Sequence, residues 1–121
     1  MKKTVLLEKH ISLGAKIIDF AGFRMPLSYS SVTDEHNYVR ENVGVFDVSH
    51  MGEFEISGKN STKFIQFICS NDIMKLKPGK AQYNCLVKDN VGIIDDLIVY
   101  KIDAEKYVLG VNASNIEKDL N

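Results

Sequence analysis

Residues 91–100, VGIIDDLIVY, decide how the rest of the chain is read. Eight of the ten are apolar or Gly, and β-branched Val and Ile are prominent, so the stretch reads as a buried strand. Asp95 and Asp96 interrupt it. Aspartate is depleted in strands, and burying a polar group without a partner costs about 2–7 kcal/mol. A strong local pattern broken in this way marks a functional or strained position. Strand side chains alternate, so Asp95 falls on the face of Ile93, Leu97 and Val99, and Asp96 on that of Ile94, Ile98 and Tyr100. Alternation argues against a carboxylate dyad or a metal clamp. It divides the pair into one structural acid, accepting backbone N–H groups, and one facing a cavity.

The flanking sequence continues as a meander. Residues 81–87 read as a strand, 88–92 (KDNVG) as a turn, 93–102 as the central strand, 103–105 as a second turn and 107–112 as the returning strand. Residues 114–121 begin a helix. Upstream, 6–13 suit one or two helical turns ending at Gly14. Residues 15–23 read as a strand with a bend at Gly22, and Pro26 restricts a second short strand to an edge or a strand start. Ser30, Ser31 and Thr33 supply hydroxyl caps for a helix to about Val43, with Gly44 just past its end. Val32, His36, Val39 and Val43 share one face of it. Residues 45–49 and 52–57 read as strands, and a helix opening at 58–61 carries Phe64, Phe67, Ile68 and Asn71 on one face. Helices interrupting antiparallel pairs imply an α+β fold, with a mixed, mainly antiparallel sheet and flanking helices.

A chain of 121 residues suits one domain with a real core. With 45% hydrophobic and 26% charged residues, its composition is that of an ordinary globular protein rather than a disordered or fibrous one. The 15 basic residues are scattered and the net charge is -1, so no basic stripe points to nucleic acid or an anionic membrane. The expected ligand is a small molecule or a protein. Cys69 and Cys85 are isolated, with no CxxC and no His at ligand spacing, which favours two free thiols in a reducing compartment over a disulfide. The opening MKKTVLL imitates a signal peptide, but Glu8, Lys9 and His10 stop its apolar run. No stretch approaches the ~20 apolar residues of a membrane span. The expected location is the cytoplasm.

Other polar groups carry bland readings beside chemical ones. In VFDVSHMG (45–52), Asp47 and Ser49 share a strand face while His50 lies on the other, so a nucleophilic triad cannot converge. A metal at Asp47 and His50 lacks further ligands at recognisable spacing, leaving His50 as a hydrogen-bonded structural histidine. Met51 suits core filling or the apolar wall of a pocket. His36 reads as a core or boundary histidine, and Lys75, Lys77 and Lys80 as a solvated loop. Tyr83 and Asn112 are polar positions on apolar strands expected to flank the one carrying Asp96.

Five stretches then coincide in order: DFAGFRMPLSY (19–29), DEHNYVRENVGVFDVSHMG (34–52), GKAQYN (79–84), GIIDDLIVY (92–100) and VNASNIEKDL (111–120). Together they resemble the aminomethyltransferase of the glycine cleavage system, the T-protein, across nearly the whole chain. The resemblance implies a tetrahydrofolate-dependent enzyme. It takes the aminomethyl group from the dihydrolipoyl arm of the H-protein, passes the one-carbon unit to tetrahydrofolate, and releases ammonia. It implies no metal. The family's catalytic aspartate falls on Asp96, and its folate contacts fall on Met51, Tyr83, Asp96 and Asn112, with Gly110 a weaker match. Residues 1–121 match only the N-terminal part of the family, and the sequence stops inside an expected helix, so an N-terminal fragment of the folate-binding domain is expected. Related folate domains of dimethylglycine- and sarcosine-oxidising enzymes or sulfoniopropionate demethylases look similar. So does a non-catalytic folate-binding relative in iron–sulfur cluster maintenance, which generally lacks the aspartate. Lacking the far wall of the pocket, residues 1–121 alone are expected to bind tetrahydrofolate weakly; titration giving micromolar affinity would contradict this.

Overall fold

The computed structural model describes residues 1–88 and 92–121. The turn expected over 88–92 therefore lies largely outside the described residues, as does Val91. The chain divides into two compact units, Met1–His50 and Met51–Asn121.

The first unit contains β1 (Lys2–Lys3), α1 (Leu7–Ser12), β2 (Lys16–Phe20), β3 (Phe23–Ser28) and α2 (Val32–Glu41). The strand expected over 15–23 is instead one arm of a hairpin. Ala21 and Gly22 take positive φ values of 53° and 79°, the backbone of a two-residue turn whose twist suits antiparallel strands. The Asp19 carboxylate accepts the Gly22 N–H at 3.0 Å. β1 pairs in parallel with Phe23 and Arg24, so Pro26, which has no N–H, lies where β2 is the only strand beside β3 among the described residues. Ser31 caps α2 as its hydroxyl predicts, accepting the Asp34 N–H at 3.1 Å. The Val32–His36–Val39 stripe is not buried: it lines a concave cavity of about 900 Å³ with Leu27, Tyr29 and Phe46. Three short strands and α1 offer too little apolar surface to cover it.

Residues 45–49 form no strand. Asp47 accepts both the backbone N–H (2.9 Å) and the hydroxyl of Ser49, a local turn that competes with sheet pairing. Its other oxygen bonds His10 Nε2 at 2.8 Å, and His10 Nδ1 lies 2.6 Å from the Tyr29 hydroxyl. His10 and Asp47 side chains are only 8% and 3% exposed, so this pair is buried. His50 differs from expectation. Among the described residues its Nδ1 has no hydrogen-bond partner, and the ring sits edge-on to Phe20 and Phe23, with centroids 5.6 and 6.3 Å away.

Burial raises the Asp47 carboxyl, but the bonds from His10 and Ser49 outweigh it and hold it below the usual range. A depressed carboxyl stabilises the fold above its unfolded value of ~3.9, and that stability is lost as pH falls through the folded value. Urea unfolding should therefore show Asp47→Ala weaker by about 3 kcal/mol at pH 7, the cost of opening a buried pair. In Asp47→Asn the wild-type loss of stability below about pH 4 should shrink.

The second unit runs β4 (Gly52–Ser57), α3 (Ser61–Ile68), a 3-10 turn at Ile73–Lys75, β5 (Lys80–Lys88), β6 (Gly92–Lys101), β7 (Lys106–Val111) and α4 (Ile116–Leu120). The strands form one antiparallel sheet in the order β4-β7-β6-β5, so the aspartate strand is internal, as expected. With the mixed sheet of the first unit, the chain is α+β and mainly antiparallel. One face of the second sheet is the core: Leu86, Leu97, Val99, Tyr107, Leu109 and Val111 pack against Ile65, Cys69, Ile73 and Leu76. Phe64 and Phe67 stay exposed. The inward row of α3 is instead Ser61, Ile65 and Ile68, followed by Cys69, at spacings of four, seven and eight. Both cysteines are free thiols.

A polar lock fixes the segment after α3 to β5. Asn84, 1% exposed, accepts the Asn71 N–H at 2.8 Å and donates to Gln82 Oε1 at 3.1 Å. Gln66 accepts the Ile73 N–H and donates to the Asn71 carbonyl. Asn84→Ala removes a buried amide and strands the part-buried Asn71 N–H, and should cost about 1–3 kcal/mol in urea unfolding. A change within 0.5 kcal/mol, the range typical of surface substitutions, would show that the lock is dispensable.

Candidate functional site

Register places the implied site residues on one surface. Gly52, Val111, Leu97 and Asn84 lie side by side across the four strands, and the next row is Glu53, Gly110, Ile98 and Tyr83. Leu97, Val111 and Asn84 belong to the core side, so alternation turns Tyr83, Gly110 and Asp96 to the opposite face. Met51 precedes Gly52 and Asn112 follows Val111, extending the row in which Asp96 pairs with Cys85. All five positions, Met51, Tyr83, Asp96, Gly110 and Asn112, therefore share the face away from the core.

A β-bulge re-aims β6 just before the acids. Leu86 pairs with Asp95 while Val87 pairs with Ile93, leaving Ile94 as the extra residue. Ile94 packs against the core instead of sharing the Asp96 face, which corrects strict alternation at this point. Lys118 Nζ donates to the carbonyl of Ile94 at 2.8 Å.

The carboxylates occupy different environments, but they meet at one amide. Asp96 is exposed, and its Oδ2 accepts the Tyr83 hydroxyl at 3.0 Å. Asn112 Nδ2 donates to Asp96 Oδ1 at 2.8 Å and lies 3.1 and 3.2 Å from the two Asp95 oxygens. It also lies 3.2 Å from the Asp96 carbonyl. Asp95 is half-buried. Burial raises its carboxyl, but hydrogen bonds from Asn115, Asn112 and the Asp96 backbone bring it below the ordinary value. Its partners are thus largely side-chain amides, where backbone N–H groups were expected. The Tyr83 hydroxyl is shifted up, first by its bond to Asp96 and then by the Asp96 charge, so it remains a proton donor.

Around this polar centre the surface is apolar and low. Ile98 and Tyr100 are 40% and 41% exposed, and Met51 is 37% exposed. A Cβ on Gly110 would meet Tyr100 Cε2 at an ordinary 3.5 Å, so glycine here keeps the surface flat rather than relieving a clash. A planar heterocycle with hydrogen-bonding edges fits such a floor: apolar contact below, with a carboxylate and an amide beside it. Among the described residues, no three His, Cys, Asp or Glu side chains converge as a metal site. Lys75 pairs with Asp72 at 3.4 Å on the surface, away from this constellation.

The helix expected over 114–121 forms as α4, but its part in the site was not foreseen. Asn115 and Asp119 both bear on Asp95, and with Asn112 they fall at i, i+3 and i+7, one face of a helix. That spacing was the available signal. Ile116 seats the helix over Gly52, where a Cβ would come within 2.7 Å of Ile116 Cγ1 and Val111 Cγ2. Glycine is required there by close approach. Cys85, directly across from Asp96, was also not singled out for the site.

Comparison with known proteins gives the family. The family model described as GCVT N-terminal domain matches residues 6–121. The chain is 55% identical to an aminomethyltransferase of Thermosipho melanesiensis over 121 residues, covering all of this chain and 33% of that protein. It is 58% identical to an aminomethyltransferase of Flavobacterium psychrophilum, covering 34% of that protein. The crystal structure of glycine cleavage system aminomethyltransferase T from Bartonella henselae superposes with a TM-score of 0.87 at 34% identity, over 98% of this chain and 33% of that one. The chain belongs to the GCVT N-terminal domain family, whose relatives here are aminomethyltransferases. It spans about a third of the length of the curated relatives it matches. Among the described residues, no helix is long and apolar enough to cross a membrane.

Proposed function

We propose that this chain supplies the floor of the folate site in a glycine cleavage aminomethyltransferase. The observation that carries the reading is the exposed Asp96 carboxylate, held between the Tyr83 hydroxyl and the Asn112 amide on the face away from the core. In this reading the co-substrate is tetrahydrofolate and the donor is the aminomethyl group on the dihydrolipoyl arm of the H-protein. The one-carbon unit leaves its sulfur and its amine, giving 5,10-methylenetetrahydrofolate, free ammonia and the reduced arm. Asp96 is the catalytic residue. Its carboxylate accepts a hydrogen bond from the folate near the reacting nitrogen and assists proton movement there. Met51, Tyr83, Gly110 and Asn112 bind the pterin side: Met51 by apolar contact, Gly110 by leaving room, and Tyr83 and Asn112 by fixing Asp96. No metal is used, and the partners are the lipoylated H-protein and folate, with a cytoplasmic location. Membership of the family and the aminomethyltransferases among its relatives support this reading.

The test compares Asp96→Asn with Asp95→Asn in the full-length protein. Asp96→Asn should lower the transfer rate by about 10²–10⁴, the range for a lost general acid–base group, with the unfolding midpoint near wild type and folate affinity lower by no more than about tenfold, the worth of one charge-assisted hydrogen bond. Asp95→Asn should keep most of the transfer rate and lose stability by about 1 kcal/mol, since Asp95 is only half-buried. The reverse assignment of effects would overturn the reading.

A further inference from the structure

Both carboxyl oxygens of Asp119 are shut off from solvent and receive no hydrogen bond from any described residue. The group they face is the Asp95 carboxyl. An ionised carboxylate has no proton to give, so two facing carboxyls satisfy each other only when one of them is protonated. Asp95 is the poorer candidate for that proton, because it already accepts the Asn112 amide at 3.1 and 3.2 Å. The same amide holds Asp96 at 2.8 Å, and Asp96 accepts the Tyr83 hydroxyl at 3.0 Å. A continuous polar chain thus runs from Asp119 on α4 through Asp95 and Asn112 to Asp96 and Tyr83.

We propose that Asp119 is a positioning residue for this site: protonated, it donates to Asp95 and so sets how Asp95 and the Asn112 amide hold Asp96. The consequence for folate rests on the function proposed above, whereas the coupling to Asn112 does not.

Burial, followed by the Asp95 bond and charge, pushes the Asp119 carboxyl up to about 6. The charged groups bearing on it are Asp95 and Asp96 from β6, which raise it, and Lys118 from its own helix, which lowers it. The Lys118 ammonium is itself engaged by the Ile94 carbonyl. Below its midpoint Asp119 is a donor. Above it, two carboxylates repel, and the Asn112 amide is drawn between three negative groups. The site should therefore loosen as pH rises through the Asp119 midpoint. Asparagine at this position keeps a neutral donor at every pH, while alanine provides none.

The test uses the full-length protein with labelled aspartate and asparagine, as wild type, Asp119→Asn and Asp119→Ala. The Asp119 carboxyl carbon should titrate near pH 6. The Asn112 side-chain amide resonances should shift with that same midpoint in wild type and stay flat in both variants. Tetrahydrofolate binding by wild type should weaken on the order of tenfold between about pH 5 and 8, roughly the worth of one charge-assisted hydrogen bond. Asp119→Asn should keep the tight value throughout, and Asp119→Ala should match wild type at its weakest. Titration of Asp119 in the ordinary range near ~4 would overturn the proposal. An Asn112 amide that ignores Asp119, or that titrates equally in Asp119→Asn, would do the same. If none of the three proteins binds folate, the functional reading fails, and the Asn112 titration still decides the role of Asp119.

Discussion

The side-chain amide of Asn112 joins two adjacent carboxylates that would otherwise repel, and the site is built on that junction. An amide nitrogen offers two protons, and here both are directed at Asp95 and Asp96. The arrangement depends on three things at once. β6 must be an internal strand so that β7 runs beside it, and the bulge at Ile94 must turn the chain before the acids. The chain must then leave the sheet after Val111 so that Asn112 can reach over. Each is a backbone feature secured by packing on the core face, where Leu97, Val99, Leu109 and Val111 are almost fully buried. The chemistry of one face is thereby held in register by the hydrophobic burial of the other.

The two units solve the problem of buried polarity differently. In Met1–His50 a single pair, His10 and Asp47, ties α1 to a segment with no regular structure, with Tyr29 and Ser49 as outer partners. In Met51–Asn121 the amides of Asn84, Gln66 and Gln82 satisfy the backbone of an irregular connection. Neutral amides both donate and accept, so they suit a connection that presents N–H and C=O groups together. A carboxylate only accepts, and Asp47 accordingly gathers donors from the His10 ring and from Ser49.

Much of this was legible in the residues. The meander, the Ser31 cap and the conflict posed by Asp95 and Asp96 all follow from local rules of period, capping and burial. The strand expected at 45–49 did not form, because Asp47 is used for a turn and a long-range pair that composition does not announce. Phe64 and Phe67 were expected on one face of α3 with Ile68 and Asn71, and both stay exposed. Ile65 is inside because it lies in the row with Ser61 and Ile68. Strict alternation failed at Ile93 and Ile94, where the extra position of a bulge changes the count: Ile94 packs on the core and Ile93 stays exposed.

Sequence alone determined that two acids in an apolar strand needed separate environments, and which family's pattern the surrounding stretches follow. Both are local: one rests on the period of a strand, the other on the order of residues along the chain. The tertiary structure alone decided that the separated acids meet again at Asn112, and that Asn115 and Asp119 join Asp95 from a later helix. Such convergence depends on strand order and on a bulge, and both are fixed by non-local packing that no window of sequence contains.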